Sequence, residues 1–200
     1  MTTRSPRDAL LRLFRQSGVL RPRDLAAPRI PRSYLQRLVE RGLLERTGRG
    51  LYRLAGGEAA EHHGMAEACK RVPHGVVCLL SALRFHDLTT QAPFEIWMAI
   101  DVAARAPAAG YPPLRIVRMS GLARTTGVEE HRVEGVPVNV YSAAKTVADC
   151  FKYRNKIGLD VALEALRDYR RVRGNLDDLW LFARICRVAN VIRPYLEATA

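Results

Sequence analysis

Proline and glycine divide the first 56 residues into a fixed order of pieces, and that order constrains the fold more than any composition figure. Pro6, Pro22 and Pro31 each stand where a helix would begin, and Gly18 and Gly42 stand where the first and third would stop. Proline suits a first helical turn because its missing N–H is not needed there, and glycine past the last turn reaches left-handed backbone at no steric cost. Ser5 is placed to cap the first helix, with Asp8 in the capping-box position and Leu10, Leu13 and Phe14 on one face. Arg21-Pro22 opens a short second helix through Leu25 and Ala26, and Ile30-Pro31 opens a third that runs to Arg41. Leu43–Arg46 and Leu51–Leu54 then flank Thr47-Gly48-Arg49-Gly50, which reads as a β-hairpin. Three helices followed by a hairpin is the order of a winged helix-turn-helix.

On the third helix Leu35, Leu38 and Val39 fill one narrow arc. Arg32, Ser33, Gln36, Arg37 and Glu40 fill the opposite arc, with Tyr34 and Arg41 on the border. A helix enters the major groove and offers side chains of its N-terminal turns to base edges, where Arg pairs with guanine and Gln with adenine. The expected DNA-reading residues are therefore Arg32, Ser33, Tyr34, Gln36 and Arg37. Arg46 and Arg49 at the wing, with Arg53 on its return strand, suit phosphates or the adjacent minor groove. Arg21, Arg23 and Arg29, flanking the second helix, suit the sugar–phosphate backbone. Glu40 would need a basic neighbour, Arg37 or Arg41, to be tolerated near phosphate.

Charge agrees with this. The 200 residues carry a net charge of +12, and residues 1–56 hold 13 basic against 4 acidic side chains. Residues 57–200 are nearly balanced, with 19 against 16. A GC-rich genome would explain 28 arginines among 32 basic residues, but not their clustering. Clustering of this kind is the footprint of a polyanion-binding module. The longest run without a charged residue, Val72–Leu83, has twelve residues, too short to span a bilayer, and the N-terminus has no signal-peptide core. A cytoplasmic location is expected, with no membrane partner.

Ala55 to Ala59 reads as a linker, which divides the chain into a DNA-binding domain over 1–56 and a second domain over 57–200. The second domain is expected to be α+β. Helices are predicted over Glu61–Arg71 and Val76–Leu88, and strands over 95–101, 114–119, 128–133 and 136–141, the last two joined at Glu134-Gly135. Three helices close the chain, the first capped by Ser142 and the third by Asn175 and ending near Ala189. Cys69, Cys78, Cys150 and Cys186 form no close pair, so reduced, buried thiols are expected. His62, His63, Cys69, His74 and Cys78 crowd one region, which makes a structural metal conceivable there, a minor reading beside the expectation of none. No catalytic motif is evident, and no cofactor is expected. Glu95, Asp101 and Lys145 are a weak match to a magnesium-dependent nuclease site, the first alternative to a non-enzymatic regulator. His86-Asp87 reads as a helix-end or surface pair. Lys145, Asp149, Lys152 and Lys156 recur at helical spacing with Arg154 nearby, and read first as a solvated face, with a surface for an acidic partner or nucleic acid as the alternative. A module that sequesters a partner protein directly is the second alternative.

Two blocks resemble a known family. Arg37-Leu38-Val39-Glu40-Arg41-Gly42-Leu43-Leu44-Glu45-Arg46, followed by Gly48 to Leu54, resembles the winged helix of AbiE-type antitoxins from abortive-infection toxin–antitoxin pairs. Val138-Asn139-Val140-Tyr141-Ser142-Ala143-Ala144-Lys145-Thr146-Val147-Ala148-Asp149-Cys150-Phe151-Lys152-Tyr153-Arg154, continuing to Ala162, resembles that family's C-terminal region. The resemblance implies an N-terminal domain that represses its own operon at promoter repeats. It further implies a C-terminal domain opposing a nucleotidyltransferase toxin without a stable complex, with the antitoxin role near Lys145, Asp149, Lys152 and Arg154. With no heptad or evident dimer helix, a monomer binding double-stranded DNA cooperatively is expected.

Overall fold

The computed structural model describes residues 6–25, 30–48, 50–56 and 62–198. The fold is α+β, in two compact units. The first comprises residues 1–73, 107–113 and 132–138; the second comprises 74–106, 114–131 and 139–200.

In the first unit, α1 (Pro6–Gln16) is followed by a 3₁₀ turn (Pro22–Leu25) and α2 (Arg32–Glu40). The cap expected of Ser5 lies outside the described residues, as do Ala26, Arg29 and Arg49. Leu10 and Phe14 of α1, Leu25 and Ile30 around the turn, and Leu35 and Leu38 of α2 are buried in one cluster with Leu20 and Leu44. Each such side chain contributes roughly 1.5–3 kcal/mol when removed from water, which fixes α2 with its opposite face outward. Arg41 closes α2, and Gly42 follows at φ +66°, the left-handed position that the glycine was expected to fill.

Strands β1 (Leu44–Gly48) and β2 (Leu51–Leu54) pair antiparallel, with Glu45 opposite Arg53 and Arg46 opposite Tyr52. Leu20 adds a bridge to the far side of β2 through reciprocal backbone bonds with Tyr52, 2.9 and 3.0 Å long. Tertiary pairing of the segment before the second helix with the returning strand makes this hairpin the wing of a winged helix.

Helix α3 (His63–Arg71) also belongs to the first unit, together with the tip of a later hairpin. His63 stands between two carboxylates there, its Nδ1 2.7 Å from Glu134 and its Nε2 3.4 Å from the fully buried Glu67. Glu67, then Glu134, raises the imidazole above its ordinary value against the opposing effect of burial. A raised folded pKa means that the stabilisation is complete below the unfolded value, about 6.5, and fades as pH rises through the folded one. Thermal melts of the wild type and His63→Gln should therefore differ most on the acid side of neutrality and converge toward pH 9. A constant difference across that range would remove the imidazolium from the account.

The second unit holds most of a five-stranded sheet in the order β5-β4-β3-β7-β6. Its strands are β3 (Val76–Val77), β4 (Ile96–Asp101), β5 (Leu114–Met119), β6 (Val128–Val133) and β7 (Val136–Tyr141). Strand β4 runs parallel to β5 and antiparallel to β3, and β3 runs parallel to β7. The two-residue turn between β6 and β7 has Glu134 at φ +50° and Gly135 at φ +72°, as tight hairpins of this twist require.

Val76 and Val77 correct the expected helix over 76–88. They form the central strand, with Val77 opposite Met98 on one side and Val140 on the other, and α4 (Leu79–Phe85) begins only after Cys78. Two buried β-branched residues between sheet neighbours take strand geometry, a preference set by tertiary partners. A short helix, α5 (Leu122–Thr125), also stands where none was expected.

After β7 come α6 (Ala143–Lys152), α7 (Arg154–Ile157), α8 (Leu159–Arg171), α9 (Leu176–Ile185) and α10 (Ala189–Ala198). Helices α6, α8 and α9 are the three that were expected; α7 and α10 are additional. The expected caps form: Ser142 Oγ accepts from the Lys145 N–H at 3.3 Å, and Asn175 Oδ1 accepts from Asp177 N–H at 2.9 Å. Helix α10 continues through Pro194 and buries Ile192 and Leu196. Helix α6 packs against α4, α8, α9 and α10, so Ala144 through Phe151 are all buried.

Candidate nucleic-acid interface and a buried charge pair

On the outer face of α2, Ser33, Gln36, Arg37 and Glu40 are exposed, while Leu35 and Leu38 anchor the inner face. The backbone of Arg32 opens the helix. The Arg37 guanidinium lies over the Tyr34 ring, 5.3 Å from its centroid. Stacking on a residue one turn earlier draws Arg37 toward the N-terminal end of α2, the end from which a groove-bound helix reads bases. Tyr34 itself is half-buried. Glu40 is served by Gln36, whose Nε2 donates to Glu40 Oε1 at 3.4 Å, rather than by the arginine that sequence reasoning expected. This leaves the Gln36 carbonyl oxygen and Arg37 as groups facing outward from the middle of the helix.

On the wing, Arg46 is exposed, its Nε donating to the Gly48 carbonyl at 3.3 Å. Arg53 is taken up within the hairpin, forming an ion pair with Glu45 at 2.7 Å. Arg23 is exposed, but Arg21 turns inward. The Arg21 guanidinium donates to the Lys70 carbonyl, and its Nε is 3.9 Å from Asp24. Asp24 in turn receives Lys70 Nζ at 2.8 Å, which helps hold its carboxyl below the ordinary range despite burial. Arg21 thus ties α3 to the helix-turn-helix and is not held out toward solvent. Its position in the sequence carried no sign of this, because Lys70 is 49 residues away.

Residues 8–55 match the family described as "Transcriptional regulator, AbiEi antitoxin". The match covers the winged helix alone, 48 of the 200 residues. No curated protein matches the chain. The matched segment contains the exposed face of α2 and the wing, so the family match and the surface geometry fall on the same residues. It ends before α3.

In that second unit the sequence suggested a face of Lys145, Asp149, Lys152 and Lys156, and the structure divides it. Lys145 and Asp149 are fully buried, with Lys145 Nζ 2.5 Å from Asp149 Oδ2. Lys145 Nζ also lies 4.3 Å from the centroid of the Tyr141 ring, and Cys186 Sγ donates to Asp149 Oδ1 at 3.2 Å. The solvated-face reading is therefore corrected for these two. Helical spacing puts them on one side of α6, and α9 covers that side. Burial pushes the Asp149 carboxyl up against the opposing pull of the Lys145 ammonium. The thiols of Cys78 and Cys150 are pushed well up by burial and that of Cys186 to about 12, so all three are protonated near neutral pH. Lys152 and Lys156 are exposed and flank the Tyr153 ring, 5.8 and 5.7 Å from its centroid. Arg154 is half-buried, donating to the Phe151 carbonyl at 2.8 Å.

The residues of the nuclease alternative are not brought together. Glu95 pairs with Arg115 at 2.9 Å and Asp101 with Arg124 at 3.7 Å, at opposite ends of β4 and about 20 Å apart along it. Lys145 is occupied by Asp149. His86 Nε2 donates to the Tyr141 carbonyl at 2.8 Å, and burial lowers its pKa, which suits a neutral packing residue. Among the described residues no group of three or more His, Cys, Asp or Glu stands where it could hold a metal ion. None of the helices among them is long and apolar enough to cross a membrane.

Proposed function

We propose that this chain is a cytoplasmic, sequence-specific DNA-binding autorepressor of its own operon and an antitoxin opposing a cognate nucleotidyltransferase toxin. DNA binding is assigned to residues 1–56 and antitoxin action to 57–200. The observation that carries the reading is the exposed Ser33–Gln36–Arg37 face of α2, beside a basic wing, within a segment that matches transcriptional regulators and antitoxins. Gln36 and Arg37 read base edges, and Ser33 and Arg32 sit at the helix entry. Arg46, Arg49 and Arg23 neutralise phosphates. Tyr34 positions Arg37, and Arg21 supports the interface from behind. The protein acts as a monomer that occupies promoter repeats cooperatively.

The test is fluorescence anisotropy on the duplex directly upstream of the gene, beside a shuffled duplex, at two salt concentrations and without magnesium. Preference for the native duplex that survives the higher salt is the expected result. Equal, salt-erased binding to both would leave only counterion release and remove the repressor reading.

The antitoxin role falls on the exposed pair Lys152 and Lys156 beside Tyr153, with Lys145 and Asp149 holding α6 from within and Arg154 closing its end. Double charge reversal, Lys152→Glu with Lys156→Glu, should abolish growth rescue when the toxin is co-expressed and leave operator affinity unchanged. Full rescue by that variant would move the antitoxin surface elsewhere.

A further inference from the structure

The segment 107–113, far along the chain from the winged helix, belongs to the same compact unit. Two contacts hold it. Arg71, at the end of α3, donates from Nη1 to the Pro112 carbonyl at 2.5 Å and from Nη2 to the Ala108 carbonyl at 3.0 Å. On the other side it meets the wing: a Cβ on Gly48 would stand 3.0 Å from the Tyr111 carbonyl oxygen, a distance that only glycine leaves comfortable. Pro112 is buried, while Tyr111 is 62% exposed, one of the most exposed large hydrophobic side chains of the described residues. A large aromatic side chain is thus held in solvent beside the wing by a fixed backbone. Neither 46–50 nor 107–113 contains an acidic residue, and the wing supplies Arg46 and Arg49.

We infer that Tyr111 is a further DNA-contacting residue that extends the wing, its phenol hydroxyl donating to a phosphate of the duplex. The inference rests on the DNA-binding reading above. The chemistry is that of a neutral donor beside cationic ones: tyrosine is among the side chains that hydrogen-bond phosphate oxygens, and it adds register without base preference. An exposed aromatic ring beside the basic wing has no use in the core of this unit. Arg71 keeps the loop, and with it the ring, from retracting.

The test uses the full-length protein and fluorescein-labelled duplexes, native upstream and shuffled. Tyr111→Phe should weaken binding to both about two- to tenfold, the range of one hydrogen bond, and leave the slope of log affinity against log salt unchanged. Arg46→Ala should reduce that slope by about 0.9, because it removes a counterion-releasing contact. Arg71→Gln, which loosens the loop at a distance from DNA, should weaken binding in the manner of Tyr111→Phe. Wild-type affinity in Tyr111→Phe and Tyr111→Ala, with Arg46→Ala still impaired, would overturn this contact and leave the regulator reading intact. Equal wild-type binding to both duplexes, still weakened by Tyr111→Phe, would overturn the regulator reading and keep the contact. No wild-type binding to either duplex would overturn both.

Discussion

Replacing Lys145 by methionine should cost about 3–5 kcal/mol of stability at neutral pH, because it leaves the Asp149 carboxylate buried without its counter-charge. That is a large share of the roughly 5–15 kcal/mol that holds a typical domain folded. The side chain of Asp149 is 1% exposed, and its remaining partner is a thiol, Cys186, a weak donor. Losing Lys145 removes the influence that now opposes burial, so the Asp149 pKa should rise further. An acid whose folded pKa is raised gains stability by taking up a proton, fully so below its unfolded value near 3.9. The gain is lost as pH rises through the folded pKa. The deficit of Lys145→Met should therefore shrink on acidification, read by urea unfolding at several pH values. The double variant Lys145→Met with Asp149→Leu should recover most of the loss, since a well-packed apolar pair replaces a desolvated ionic one. A single variant as stable as the wild type would show that the pair contributes nothing.

Arg37→Ala carries the second large effect, about 1–3 kcal/mol in operator binding, or roughly five- to 150-fold in affinity. The loss should concentrate at one base position, where the native and altered base pairs become equivalent. Tyr34→Ala should reproduce part of it, because the ring under the guanidinium holds Arg37 along the helix. Stacking of this kind at an exposed site is worth about 0.5–1 kcal/mol, so the smaller effect is expected from the smaller term. Arg46→Ala should instead weaken every sequence alike. A panel of single-base operator variants measured against each protein separates these outcomes. Equal loss across all bases in Arg37→Ala would remove α2 as the reading element.

How far each element was legible follows from how local its cause is. Helix α1, helix α2 and the wing were read from Pro6, Pro31, Gly42 and the apolar spacing of Leu35 and Leu38, all signals that act within a few residues. The Ser142 and Asn175 caps were read for the same reason. Val76-Val77 was not, because strand geometry there depends on Met98 and Val140 as neighbours. Helix α10 was hidden by Pro194, whose cost is offset by burying Ile192 and Leu196. Sequence spacing put Lys145, Asp149, Lys152 and Lys156 on one helix side correctly, but periodicity carries no information about what covers a side.

The sequence by itself thus determined the winged helix, the outward polar face of α2 and the concentration of positive charge around it. These follow from backbone preferences, apolar periodicity and composition, which are properties of short segments. Only the tertiary structure decided which charges are available. It turned Arg21 onto Lys70 and Asp24, paired Arg53 with Glu45, sealed Lys145 against Asp149 under α9, and carried Tyr111 to the side of the wing. Whether a charge meets water or another residue depends on chain segments tens of residues away, and that is settled only when the core has packed.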